Sequence, residues 1–145
     1  MDFEFIDAQL LELLYPPQVC ETRTNCCQSF SRYDYKVKDV EVTAHDGIII
    51  RGHLFTSRKV DPKTAICIIY THSHGSNKHE GLQIFEACTM KNYSLLVYDS
   101  RGCGASDKTN VSFGLNESLD LLYYLFYLTI TEEVVKFVLW GRSIG

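Results

Sequence analysis

The stretch Val134-Val135-Lys136-Phe137-Val138-Leu139-Trp140-Gly141-Arg142-Ser143-Ile144-Gly145 decides how the rest of the chain is read. Its first part, aliphatic and aromatic apart from one lysine, describes a strand. The G-x-S-x-G that follows describes a tight strand-to-helix turn that raises a serine hydroxyl above the end of a sheet. Such a turn strains the serine backbone, and its flanking glycines remove Cβ atoms that would collide with the neighbouring strand and helix. Ser143 is then a candidate nucleophile. The N–H of Ile144, at the start of the next helix, is placed to face negative charge developing on a reacting carbonyl oxygen. Alone, the pattern also fits a loop turn closed by a glycine cap, so the elements before it carry the decision.

Working outward, Leu115, Leu119, Leu122 and Phe126 recur at spacings of four, three and four and predict a helix that buries that side. Ser94 to Tyr98 is an apolar strand, Glu80 to Met90 has helical spacing with Leu82, Phe85 and Cys88 on one side, and Ala65 to Thr71 is continuously apolar. Before these, Val37, Val40 and Val42 lead into the turn His45-Asp46-Gly47 and then Ile48 to Phe55, an antiparallel hairpin. The order predicts an α/β fold in which an antiparallel hairpin leads into a parallel sheet covered by helices on both faces. Residues 7–15 form a short amphipathic helix pattern ended by Pro16-Pro17. The expected organisation is an N-terminal helix and irregular segment over residues 1–35 and an incomplete α/β domain over 36–145, a single domain overall without repeats or linkers.

Composition narrows the function. With 145 residues, 46% apolar, 12% aromatic and a net charge of −4, the chain describes an ordinary globular protein. Lys36, Lys38 and Arg32 are scattered among acids, so no nucleic-acid partner is expected. No apolar run reaches the roughly eighteen residues of a membrane span; the longest candidate, Leu121 to Ile130, reads as a buried helix. The start, Met1-Asp2-Phe3-Glu4-Phe5, lacks the basic region of a signal peptide, and the expected location is cytoplasmic. The six cysteines are then free thiols, with Cys67 and Cys88 as small core residues. The adjacent Cys26 and Cys27 read as plain thiols; a membrane-surface contact through a reversible lipid is the alternative, and metal-ligand spacing is lacking.

Two further loops carry chemistry. The first, His72-Ser73-His74-Gly75-Ser76-Asn77, follows the Ala65 strand. Gly75 lets the backbone turn an N–H toward the serine, which makes Ser76 the expected second donor, with His74 the alternative if His72 anchors the loop. A metal held by His72, His74 and His79 is disfavoured for want of a nearby acid pair. The second loop, Tyr98-Asp99-Ser100-Arg101-Gly102-Cys103-Gly104-Ala105-Ser106-Asp107, has neither the third glycine of a dinucleotide fingerprint nor a P-loop lysine. No cofactor is expected. Asp99 and Arg101 are expected to be structural, hydrogen-bonding the neighbouring loops.

In this order and at these spacings, Tyr98-Asp99-x-Arg101-Gly102-x-Gly104-x-Ser106, the His74-Gly75 loop and Leu139-Trp140-Gly141-Arg142-Ser143-Ile144-Gly145 resemble the α/β-hydrolase superfamily. The likeness is greatest to its serine-aminopeptidase-like (S33-type) group, which shares the wording at the elbow and a segment like Ser112-Phe113-Gly114 before the following helix. His72 departs from the commonest His-Gly pattern. The resemblance implies Ser143 as nucleophile, Ser76 and Ile144 as backbone oxyanion donors, and a serine hydrolase that cleaves a small-molecule ester, thioester or amide through an acyl-enzyme. It also implies that the acid and histidine of a triad follow the serine, whereas all five histidines precede it. The expectation is therefore the N-terminal half of an α/β-hydrolase fold, ending at the elbow, close to inert by itself and with its last strand an exposed apolar edge. A catalytically inactive protein that serves only as an interaction module is the alternative.

Overall fold

The computed structural model describes residues 33–145. The expected helix at 7–15 and the Cys26-Cys27 pair lie outside the described residues. Five strands form one mixed sheet: β1 (Tyr35–Thr43), β2 (Ile49–Ser57), β3 (Ile66–Thr71), β4 (Ser94–Tyr98) and β5 (Lys136–Gly141), in the spatial order β1-β2-β4-β3-β5. β1 and β2 pair antiparallel from Tyr35↔Ser57 to Thr43↔Ile49. The turn between them closes through Gly47 at φ +83°, with Ala44 N–H on the Ile48 carbonyl at 2.9 Å. β2 also pairs antiparallel with β4, while β3 runs parallel to both β4 and β5. Every residue of β4 is buried, as expected for a strand with neighbours on both edges and helices on both faces.

The two faces have separate cores. On one, Val40, Val42, Ile50, Leu54, Cys67, Ile69, Leu96 and Tyr98 pack against Tyr124 and Leu128 of helix α2 (Leu115–Thr131). On the other, Phe55, Ile68, Tyr70, Leu95 and Val97 pack against Phe85 and Cys88 of helix α1 (Phe85–Met90). The helix expected from Glu80 to Met90 is thus shorter, and a 3₁₀ segment (Lys78–Ile84) leads into it. That segment lies tight on the sheet because Gly81 has no side chain: a Cβ there would come within 2.5 Å of Val97 Cγ1.

Helix α2 lies where the sequence puts it but turned about its axis. The buried positions are Asp120, Tyr124 and Leu128, spaced by four. Leu115, Leu119, Leu122 and Phe126, expected to face the core, are exposed, with Phe126 at 62%. The cause is polar. Asp120 is drawn under the helix by Arg101, and Tyr124 donates its hydroxyl to the Ile50 carbonyl at 3.0 Å, which fixes the rotation. Val138, Leu139 and Trp140 of β5 are also exposed, as expected for an edge strand.

Candidate active site

The ends of β3, β4 and β5 bring three loops together. At the end of β5, Arg142 N–H donates to the Thr71 carbonyl at 3.2 Å and Gly145 N–H to the Arg142 carbonyl at 3.0 Å, folding the chain back on the last residue of β3. Ser143 sits between them with φ +57°, in the left-handed region that few non-glycine residues occupy. The surroundings are crowded. A Cβ on Gly141 would lie 2.2 Å from the Gly145 carbonyl oxygen, and one on Gly145 would lie 2.3 Å from that of Thr71. Ser143 is exposed, and Ile144 and Gly145 line a cavity of about 30 Å³ with Thr71, His72, His74 and Cys103.

The loop after β3 is held from below. His72, 2% exposed, places Nδ1 2.8 Å from the Ser73 carbonyl and accepts the Ser100 N–H on Nε2 at 3.0 Å. The second contact leaves no proton on Nε2, so Nδ1 carries it and donates; both ring nitrogens are thereby engaged. His72 is the histidine that anchors the loop to its neighbour, and His74 lies further out, its ring 5.5 Å from that of Phe113. Ser76 N–H donates to the Ser73 carbonyl at 3.1 Å, closing a turn through Gly75. The Ser76 N–H, expected to face the serine, makes that turn bond, and Ser76 does not line the cavity that His74 shares with Ile144.

The loop after β4 carries the ties. Asp99, fully buried, accepts from Lys78 Nζ at 2.6 Å, Lys78 N–H at 2.7 Å and Ala105 N–H at 2.9 Å. Gly104 permits this: a Cβ there would fall 2.3 Å from the Asp99 carboxyl carbon. Arg101, 1% exposed, donates to both oxygens of Asp120 at 2.7 and 2.6 Å and to Asp46 at 2.7 Å, joining α2, the β4 loop and the hairpin turn. Gly102 N–H donates to the Asp107 carbonyl at 3.0 Å, and Asp107 in turn accepts the Ile49 N–H at 2.9 Å. Asp99, Arg101, Gly102 and Gly104 thus brace the loops beside the serine, and none of them lines the cavity. Cys103 does line it; burial, with the nearby charge of Asp99 adding, pushes its thiol up to about 11 and keeps it protonated.

One histidine–carboxylate pair stands apart from the serine. His53 Nδ1 lies 2.8 Å from Asp39, but β2 is three strand spacings from β5, roughly 14 Å. No group of His, Cys, Asp and Glu among the described residues is arranged to hold a metal. No helix among them is long and apolar enough to cross a membrane.

Lys78, Glu80 and Asp120 went unread in the sequence. The signal for Asp120 was an acid within the apolar run Leu119 to Leu122, downstream of an arginine in a glycine-rich loop. Lys78 and Glu80 follow directly on the histidine loop, where solvated charges are the ordinary expectation.

No family model matches the chain. It is 26% identical over 112 residues to the Uncharacterized protein YfhR of Escherichia coli strain K12, an alignment that covers 77% of this chain and 39% of that protein. The fold is similar to the Pyrococcus furiosus esterase Pf2001, with a TM-score of 0.72 and 25% identity over 90% of this chain and 49% of that one. The alpha/beta hydrolase GrgF from Penicillium sp. sh18 is similar at a TM-score of 0.65 and 25% identity, covering 76% of this chain and 38% of that one. The architecture is that of the α/β-hydrolase fold, and the chain spans about half the length of the esterase and less of the other two.

Proposed function

We propose that the full-length protein to which this chain belongs is a serine hydrolase in which Ser143 attacks the carbonyl of a small ester, thioester or amide and forms an acyl-enzyme. The observation that supports it most is Ser143 at φ +57° in a turn whose two glycines cannot be replaced without collision. Ser143 is exposed in that turn, and Ile144 after it lines the cavity. The likeness to the esterase Pf2001 favours ester over amide chemistry. The second oxyanion donor in this reading is His74, because it lines the cavity with Ile144 and the buried His72 anchors the loop two residues ahead.

Ser143 needs a base to become a nucleophile at neutral pH. His72 has both nitrogens engaged and the His53–Asp39 pair lies at the far side of the sheet. In the chain order of α/β-hydrolases the acid and then the histidine follow the serine, so the reading places both C-terminal to Gly145. Attack transfers the Ser143 proton to that histidine, the tetrahedral oxyanion is held by the two N–H groups, and the histidine protonates the leaving alcohol. Labelling with a fluorophosphonate probe tests it. The full-length protein, with the acid and histidine that follow Gly145, is expected to label and Ser143→Ala to abolish the signal; equal labelling of both sinks the assignment.

The exposed apolar residues of α2 and β5 favour a second reading, in which the protein binds a partner and does no chemistry. Absence of both labelling and ester turnover in the full-length protein, extending past Gly145, selects it.

A further inference from the structure

The loop at residues 72–77 and the elbow at residues 141–145 follow different strands, and one side chain meets both. Glu80, its side chain 9% exposed, accepts Ser73 Oγ–H on Oε2 at 2.6 Å and Ser73 N–H at 3.3 Å. Its Oε1 accepts the Tyr70 hydroxyl at 3.0 Å, and that hydroxyl is itself held by Gln83 Nε2 at 2.9 Å. Arg142 Nη1 of the elbow lies 3.5 Å from the same Oε1. Burial pushes the Glu80 carboxyl up, but the hydrogen bonds from Ser73, Ser76 and Tyr70 outweigh it and bring it down to about 2. Glu80 is therefore an anion throughout the neutral range. A negative charge close to donors that must hold an oxyanion opposes them unless it is compensated. Arg142, the residue between Gly141 and Ser143, carries the compensating charge.

We propose that Glu80 is a positioning residue that ties the loop after β3 to the elbow through Ser73 and Arg142, fixing the separation of the His74 and Ile144 N–H groups. The inference rests on the serine-hydrolase reading and adds to it a residue remote from the reacting atoms. It assigns Arg142 a role as well: the guanidinium offsets Glu80 and spans the two loops.

The test is hydrolysis of p-nitrophenyl butyrate by the full-length protein, extending past Gly145 to the acid and histidine of the reading above, carrying Glu80→Gln, Ser73→Ala, Arg142→Ala and the Glu80→Gln/Arg142→Ala pair. Displacing one donor by a fraction of an ångström is expected to lower kcat by about 10- to 100-fold. KM should stay within about twofold, since ground-state binding does not use the oxyanion donors. Arg142→Ala should cost several-fold less in the Glu80→Gln background than in the wild type, because the two residues act as a unit. Ser73→Ala keeps the carboxylate and removes its shortest bond, so it stands in should Glu80→Gln fold poorly. Wild-type kcat in both Glu80→Gln and Ser73→Ala overturns the proposal, as do additive effects in the pair, or rates that fall only in proportion to the folded protein recovered. Amide hydrogen exchange separates this inference from the reading beneath it. Glu80→Gln should speed exchange in both residues 72–77 and residues 141–145. Acceleration in one segment alone overturns the tie, whereas an inactive, unlabelled wild type with both segments coupled overturns the hydrolase reading only.

Discussion

Replacing Asp120 by alanine removes the carboxylate that faces Arg101 beneath α2. Both partners are 1% exposed, and two charge-assisted hydrogen bonds of 2.7 and 2.6 Å are lost at once. Bonds of this kind contribute about 1.5 to 3 kcal/mol each, and breaking a buried ion pair costs about 3 to 5 kcal/mol because one charge is left without its partner. Arg101 keeps Asp46 at 2.7 Å, a carboxylate that is 35% exposed, which places the expected loss at the lower end, about 3 kcal/mol. With a urea dependence of about 2 kcal/mol per molar, the midpoint should fall by about 1.5 M with little change in slope. Urea unfolding followed by the far-ultraviolet circular dichroism of α2 measures it. Arg101→Met combined with Asp120→Leu should recover most of the loss, since an apolar pair of similar volume leaves only the part-exposed Asp46 without its partner. A midpoint shift under about 0.5 M for Asp120→Ala, or a double variant no better than the single one, refutes the view that this pair sets the rotation of α2.

Gly145→Ala should abolish fluorophosphonate labelling, because a Cβ 2.3 Å from the Thr71 carbonyl oxygen forces the elbow open; near-wild-type labelling would show that the turn relaxes freely. Glu80 is depressed from 4.5 to about 2, so its contribution is present above pH about 4.5 and lost as pH falls toward 2. Unfolding midpoints measured from pH 6 to pH 3 should therefore decline, and Glu80→Gln should flatten the decline. Leu122→Lys with Phe126→Glu should lower both binding of a hydrophobic dye and concentration-dependent association, because Leu122 and Phe126 are 47% and 62% exposed. A loss of thermal stability as large as that of a core substitution would place these side chains in the core instead.

The hairpin, the alternation of strands and helices and the elbow were legible because each has a local cause: a turn residue, a period, a steric requirement for glycine. Gly141 and Gly145 are where the sequence reading puts them for the reason it gives. The face of α2 was not legible. Its sequence from Leu119 to Ile130 is apolar on almost every side, so spacing alone could select several faces, and the one chosen by apolar count was wrong. What selects the face is a long-range partner, Arg101 for Asp120 and the Ile50 carbonyl for Tyr124. Which histidine anchors its loop stayed open in the sequence for a similar reason: the Ser100 N–H that His72 accepts lies 28 residues away.

The placement of β4 between β2 and β3 bears on how the chain is made. During synthesis the hairpin emerges first, with one edge of β2 and the apolar Leu54 and Phe55 waiting for a strand that comes only after β3 and its crossover. Gly52 keeps that waiting edge open to the latecomer: a Cβ there would stand 2.6 Å from the Val97 carbonyl oxygen. Until residues 94–98 have left the ribosome, the nascent hairpin carries an unpaired apolar margin of the sort chaperones bind, and its completion comes from the middle of the sheet outward.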